Sequence, residues 1–352
     1  MASQPLILSA AARPVKTGRV GFMDGLRAAA TFLVVCSHST HLVALKAQSD
    51  PLALSWIAVI LHTGTSVFLF VSGFLFAHLA GPGWNFRSHL LVKGQRVLLP
   101  YLVTSLVLIA CLVPAEKLTP AFTLSVLING TAGMSTWYIP FVTLIFLLAP
   151  VFLLIRDAPQ AWRLSILASS FALALLVHRP PGNLDKLQAL AYFAFFYLAG
   201  IETWLQLDRL RELAAKAWWL PALGAALLMS CLIQAAIFGF FPMYAPWFAP
   251  RPPDLWYAAN VLLIATLCAF FLRFGRANRG LIRRLAEDSF GVFFLHNIVL
   301  ELIRMQFGRF SPSGVYVLDL LITAALVFAL SWALVLIIKR IFGKASRVLI
   351  GA

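Results

Sequence analysis

Asp24, Arg27, His38 and His41 all fall within Phe22–Leu45, a stretch otherwise composed for hydrocarbon. Arg27 and His38 are eleven residues apart. At about 100° per residue that is three helical turns plus about 20°, so on a helix both point the same way, ~16.5 Å apart along the axis. Asp24 comes nearly one turn before Arg27, and His41 nearly one turn after His38, which makes a polar stripe. Ionisable groups inside a bilayer are costly, so each raises a question of function. A neutral imidazole can take a proton from a hydroxyl near physiological pH, as few other side chains can. The plainer reading has Arg27 snorkelling to the interface beside Asp24, and His38 bonding a neighbouring helix. Arg27 and His38 on one face favour the functional reading.

Two further groups could do chemistry. Lys93 and Arg96 stand nearly one turn apart at the mouth of a later apolar block. They suit positive-inside anchoring or, as a cation pair, an anionic ligand such as the phosphates of coenzyme A. In the second block, His62, Thr63, Gly64, Thr65 and Ser66 lie toward one end, with Ser72 and Gly73 further in. Hydroxyls and glycines there let helices pack closely.

The elements that must position these residues are membrane helices. Of 352 residues, 61% are hydrophobic and only 12% charged, against about 25% charged in soluble domains. The apolar residues fall in blocks: Phe22–Leu45, Trp56–Ala80, Val97–Pro114, Trp137–Ile155, Trp162–Val177, Leu187–Trp204, Trp218–Phe240, Leu255–Phe274, Phe290–Phe307 and Val315–Phe342. Most have the ~20 residues an α-helix needs to cross hydrocarbon. Thr119–Ile128 is too short and reads as interfacial or re-entrant. Trp and Tyr gather at block ends, as an interfacial belt does. The predicted fold is therefore an all-α polytopic membrane protein with about ten transmembrane helices. Residues 1-20 form a lead-in, 21-343 the membrane domain and 344-352 a tail.

Loop charge gives the orientation. Of the 28 Lys and Arg, twenty fall on one side, seven on the other, and Arg27 lies within the first block. The seven are Lys46, Lys117, Arg179, Lys186, Arg251, Arg304 and Arg309. This bias predicts both termini in the cytoplasm. The net charge of +15 belongs to this topology, and its placement in short loops argues against a nucleic-acid partner. The four cysteines, Cys36, Cys111, Cys231 and Cys268, sit inside apolar blocks with no metal or disulfide spacing, so no metal is expected.

With the motifs set out, a resemblance emerges. Met23-Asp24-Gly25-Leu26-Arg27 followed by His38 resembles the opening motif of acyltransferase family 3, an Arg or Lys, ten residues, then a histidine. Phe70-Val71-Ser72-Gly73-Phe74 resembles its second-span signature, and Trp137-Tyr138-Ile139-Pro140 its fourth-span start. Ser289 to His296 resembles its ninth-span motif. Lys93-Gly94-Gln95-Arg96 sits where the family has two arginines. Lys93 keeps the charge there but loses the planar fork. The extracytoplasmic hydrolase-like domain fused to some relatives is not expected in this sequence.

The resemblance implies an O-acyltransferase of the bacterial inner membrane, surrounded by lipid. The donor would be cytoplasmic acyl-CoA, acetyl-CoA in the first place. The acceptor would be a hydroxyl of exopolysaccharide or another surface glycan, free or lipid-linked, with polysaccharide assembly machinery as a partner. On this reading His38 is the general base, with an acyl-histidine intermediate as runner-up. Asp24 orients Arg27, and Arg27, Lys93 and Arg96 hold the donor. Ser72, Trp137 and His296 line the site. A glycan or lipid transporter is the alternative, because intramembrane charge suits transport too.

Overall fold

The computed structural model describes residues 20–43, 51–216, 244–274, 279–309 and 313–352, with scattered positions between 219 and 230. The described chain is all-helical, apart from a single bridge pairing Arg179 with Tyr244. Helix α1 is Gly21–Ser39, α2 Pro51–Leu79 and α3 Phe86–Lys93. A π-turn, Gly94–Leu98, leads into α4, Leu99–Leu112. Then come α5 (Pro120–Asn129), α6 (Tyr138–Leu147), α7 (Ala149–Asp157), α8 (Gln160–Val177), α9 (Lys186–Leu205) and α10 (Leu207–Ala215). The last are α11 (Leu255–Phe274), α12 (Arg279–Phe307), α13 (Tyr316–Phe342) and the short α14 (Ser346–Leu349).

Among the described residues, six helices are long and apolar enough to cross a membrane, or eight if each of two bent pairs is one span. The bent pairs are α6 with α7, at 55°, and α9 with α10, at 85°. Pro150 opens α7 and explains the first bend, since proline starts a helix readily but cannot continue one. The seventh apolar block, Trp218–Phe240, and the lead-in lie almost wholly outside the described residues. The expected ten spans are thus seen only in part.

Helix ends differ from the sequence reading in two places. The first block is helical only to Ser39, so His41 falls in the exposed turn beyond and leaves the stripe. Helix α12 begins at Arg279, not Phe290, so Arg279, Arg283 and Arg284 ride on its first turns rather than in a loop. Residues 344-352, read as the tail, pack against α4 and α13. Ile350 and Ala352 are buried, and Ser346 Oγ donates to the Ala352 carbonyl at 2.7 Å. As expected, α5 is too short to span, and it is capped by Thr119 and ended by Gly130 at φ +69°.

Helix α2 lies at the centre of the core, packed against α1, α9 and α11. Its contact with α9 is as close as backbones allow. A Cβ on Gly73 would overlap the Tyr197 carbonyl, and one on Gly200 the Phe70 carbonyl. Backbone atoms cannot swing aside as side-chain tips do, so the two helices would have to part. Gly200→Ala is expected to destabilise the protein by roughly 1–3 kcal/mol through overpacking, read as a lower Tm in detergent. Gly280→Ala, where nothing lies within 4 Å of the new Cβ, serves as the control. An unchanged Tm for Gly200→Ala would refute the close packing.

Candidate active site

The stripe on α1 meets α12 at two levels. At one level, toward the start of α1 and called inner because the loop charges predict that side to be cytoplasmic, Arg27 Nη2 donates to Ser289 Oγ at 3.0 Å, and Ser289 in turn donates to the Ala286 carbonyl at 2.8 Å. At the outer level the rings of His38 and His296 stack, with centroids 5.4 Å apart and planes 28° from parallel. The two contacts occur in the same order along both helices, so α1 and α12 run parallel and pack against each other along a seam. Arg27 is held inside the bundle by a neighbouring helix, which disfavours simple snorkelling. Asp24 sits in the first turn of α1, one turn before it, and is half-buried.

Ser289 is fixed through its neighbour. Asp288 is buried, and it accepts from Lys339 Nζ at 2.6 Å and Trp332 Nε1 at 2.9 Å, both on α13. A buried carboxylate is tolerable only with such partners, so α12 cannot rotate without breaking them. That locks the rotation that presents Ser289 and His296 to α1.

Lys93 and Arg96 join the inner level, where Arg96 and Arg27 are the cations within electrostatic reach of Lys93. Lys93 Nζ stands 4.9 Å over the Phe146 ring, while Arg96 is exposed. The π-turn that follows Lys93 and contains Arg96 widens the helix at this point. Such turns often occur at functional sites.

The outer level is richer than expected. His62 Nδ1 lies 3.4 Å from Ser37 Oγ, next to His38. Arg179 is buried, with its guanidinium about 5 Å over three rings: Trp137 (5.1 Å), Phe193 (5.4 Å) and Tyr244 (5.2 Å). Its Nε donates to Asn183 at 2.7 Å. Both Arg179 and His62 are within electrostatic reach of His38. A strap holds Arg179. His178 places its two ring nitrogens 3.1 Å from the Leu176 and Pro252 carbonyls, and Gln188 donates to the Val177 and Ala245 carbonyls. Sequence reasoning missed Arg179 because it counted as one of seven outer-side charges. The available signal was its place before Pro180-Pro181-Gly182, where the chain must turn back over the helix ends.

Trp137 stacks on Phe141 and Phe193 beneath Arg179. Its loop is tied to α12 by Asn297, which accepts from Ser135 N at 3.3 Å and donates to Ser135 Oγ at 2.6 Å. Trp137 thus belongs to the outer level with His38 and His296. Ser72 does not. It lies ten residues beyond His62 on α2, ~15 Å along the axis, and bonds Tyr138 instead. That places it nearer the level of Arg27. Among the described residues no group of three or more His, Cys, Asp or Glu is arranged to hold a metal ion.

Residues 20–336 match the family model described as an acyltransferase domain. The chain belongs to this acyltransferase family. No curated protein and no solved structure matches it. The match spans nearly the whole chain, so the apolar helices and the two-level seam of α1 and α12 are parts of one membrane acyltransferase. Within it, α1 supplies a cation at one end of the seam and an imidazole at the other.

Proposed function

We propose that this acyltransferase moves an acyl group, acetyl in the first place, from cytoplasmic acyl-CoA to a hydroxyl of exopolysaccharide or another surface glycan. The setting is the bacterial inner membrane, with both termini in the cytoplasm as the loop charges favour. The observation that carries the reading is the two-level seam between α1 and its neighbours: Lys93 within electrostatic reach of both Arg27 and Arg96 at one end, and His38 stacked on His296 at the other.

The chemistry follows from that polarity. Cations hold the donor's phosphates on the cytoplasmic side, and the long thin arm of coenzyme A carries the thioester along α1 toward His38. His38 takes the proton of the acceptor hydroxyl as its oxygen attacks the thioester carbonyl. The tetrahedral intermediate collapses, the carbon–sulfur bond breaks, and the leaving thiolate recovers the proton from His38. Arg179, poised beside this level, favours negative charge on the developing oxyanion.

The test uses purified protein in bilayers, acyl-CoA, and surface glycan prepared from cells lacking the protein. Free thiol should appear in step with acyl groups on the glycan. Movement of glycan or lipid across the bilayer with no acyl transfer would overturn the reading in favour of a flippase.

A further inference from the structure

His296 offers chemistry that the general-base reading leaves unused. It is fully buried on α12, with Nδ1 3.2 Å from the Val292 carbonyl. A carbonyl oxygen can only accept, so the proton of that bond resides on Nδ1. A neutral imidazole carries one such proton, so Nε2 holds a bare lone pair. Among the described residues Nε2 has no hydrogen-bond partner. A buried acceptor without a donor is a liability of about 1–3 kcal/mol, and its occurrence in a folded core calls for a reason.

The ring beside it narrows what that donor can be. His38 lies almost parallel, 5.4 Å away between centroids. Stacked imidazoles face each other with π surfaces, so neither satisfies the other in its own plane. Both can present their edges to the same ligand. A hydroxyl has one proton to give, and the attacking hydroxyl gives its proton to His38. The lone pair on His296 must therefore meet a second donor.

We infer that His296 Nε2 accepts a hydrogen bond from a second hydroxyl of the acceptor, close to the one that is acylated. The site then selects a polyol, such as a sugar ring with neighbouring free hydroxyls, over a monohydric alcohol. His296 acts as a binding residue toward the acceptor, and no proton leaves that second hydroxyl. The inference rests on the acyl-transfer reading above. The other chemically similar donor is an amide N–H of the coenzyme A arm, which donor kinetics separate from an acceptor hydroxyl.

The experiment measures KM for acyl-CoA and for unacylated surface glycan separately, in wild type, His296→Leu and His296→Gln. Gln places an amide oxygen near the position of Nε2, so it can accept a bond but cannot act as a base. His296→Leu is expected to raise the glycan KM about tenfold, the loss of one neutral hydrogen bond, with acyl-CoA KM within twofold of wild type. His296→Gln should recover most of that loss, and Tm values confirm that both variants are folded. Three results overturn the inference. A rise in acyl-CoA KM assigns the lone pair to the donor's amide. A collapse of kcat in both variants makes His296 a proton carrier. Wild-type kinetics in both leaves it solvated by water. If wild type itself transfers no acyl group, the acyl-transfer reading fails along with this one, whereas transfer with unaltered glycan kinetics sinks only the role of His296.

Discussion

His38→Ala is expected to slow acyl transfer by about 10²–10⁴-fold, the usual contribution of a positioned general acid–base group, while the protein still inserts and folds. His38 is in the last turn of α1 and only half-buried, so truncation removes little of the packed core. The buried face of α1, with Leu26, Ala30 and Val34, is untouched. His296 cannot take over the proton if its one lone pair is engaged by the acceptor. His38→Gln should be nearly as slow as His38→Ala, because an amide can hydrogen-bond the hydroxyl but cannot remove its proton. Initial rates with saturating acyl-CoA and glycan decide the matter, with Tm as the control for folding. Near-normal turnover would remove His38 from the mechanism. Incubation with labelled acyl-CoA and no acceptor addresses the runner-up. A stable acyl group on the wild-type protein, absent from His38→Ala, would replace the general base with an acyl-histidine.

Much of this site was legible before any coordinates. The eleven-residue spacing from Arg27 to His38 fixes a common face by helical geometry alone, and α1 is continuous across it. The mouth cations were legible as well, since Lys93 and Arg96 lie within one short stretch of chain. What spacing cannot carry is which helix packs against that face of α1. Ser289 and His296 lie more than 250 residues from Arg27 and His38, and their pairing depends on how α12 is rotated, which Asp288 and Lys339 lock across to α13. The depth of Ser72 is a related case: its motif identifies the second span, and its distance from His62 along α2 puts it near the level of Arg27 rather than that of His38. Arg179 was hidden because burial of a loop cation depends on strands of chain from two loops, joined at Arg179 and Tyr244. His41 was overcounted because helical periodicity was extended past the point where α1 ends.

Arg27→Ala is expected to be the harshest change on the donor side, raising the acyl-CoA KM and lowering kcat together. Arg27 both contributes charge at the inner level and bonds Ser289, so its loss removes a cation and a tie between α1 and α12. It would also take the nearest cation on α1 away from Asp24, one turn below, in a region where charge is poorly solvated. Ser289→Ala separates the two effects, because it removes the tie and leaves the charge. It should therefore be milder. Lys93→Ala should raise the acyl-CoA KM by roughly 1–3 kcal/mol, or about five- to 150-fold, if one charge-assisted bond to phosphate is lost. The glycan KM should stay near wild type, since Lys93 belongs with Arg27, at the opposite end of the seam from His38. Lys93→Arg should keep or improve donor binding by restoring the planar fork that grips phosphate bidentately. It could also stay stacked on Phe146, where Lys93 now sits. A truncated donor without the nucleotide phosphates should flatten the differences among wild type, Lys93→Ala and Arg96→Ala, because those phosphates are what the cations hold. Acceptor and donor kinetics measured separately in each variant give the answer. If Lys93→Ala and Arg96→Ala shift only the glycan constants, the inner cations do not hold coenzyme A, and the donor must approach His38 by another path.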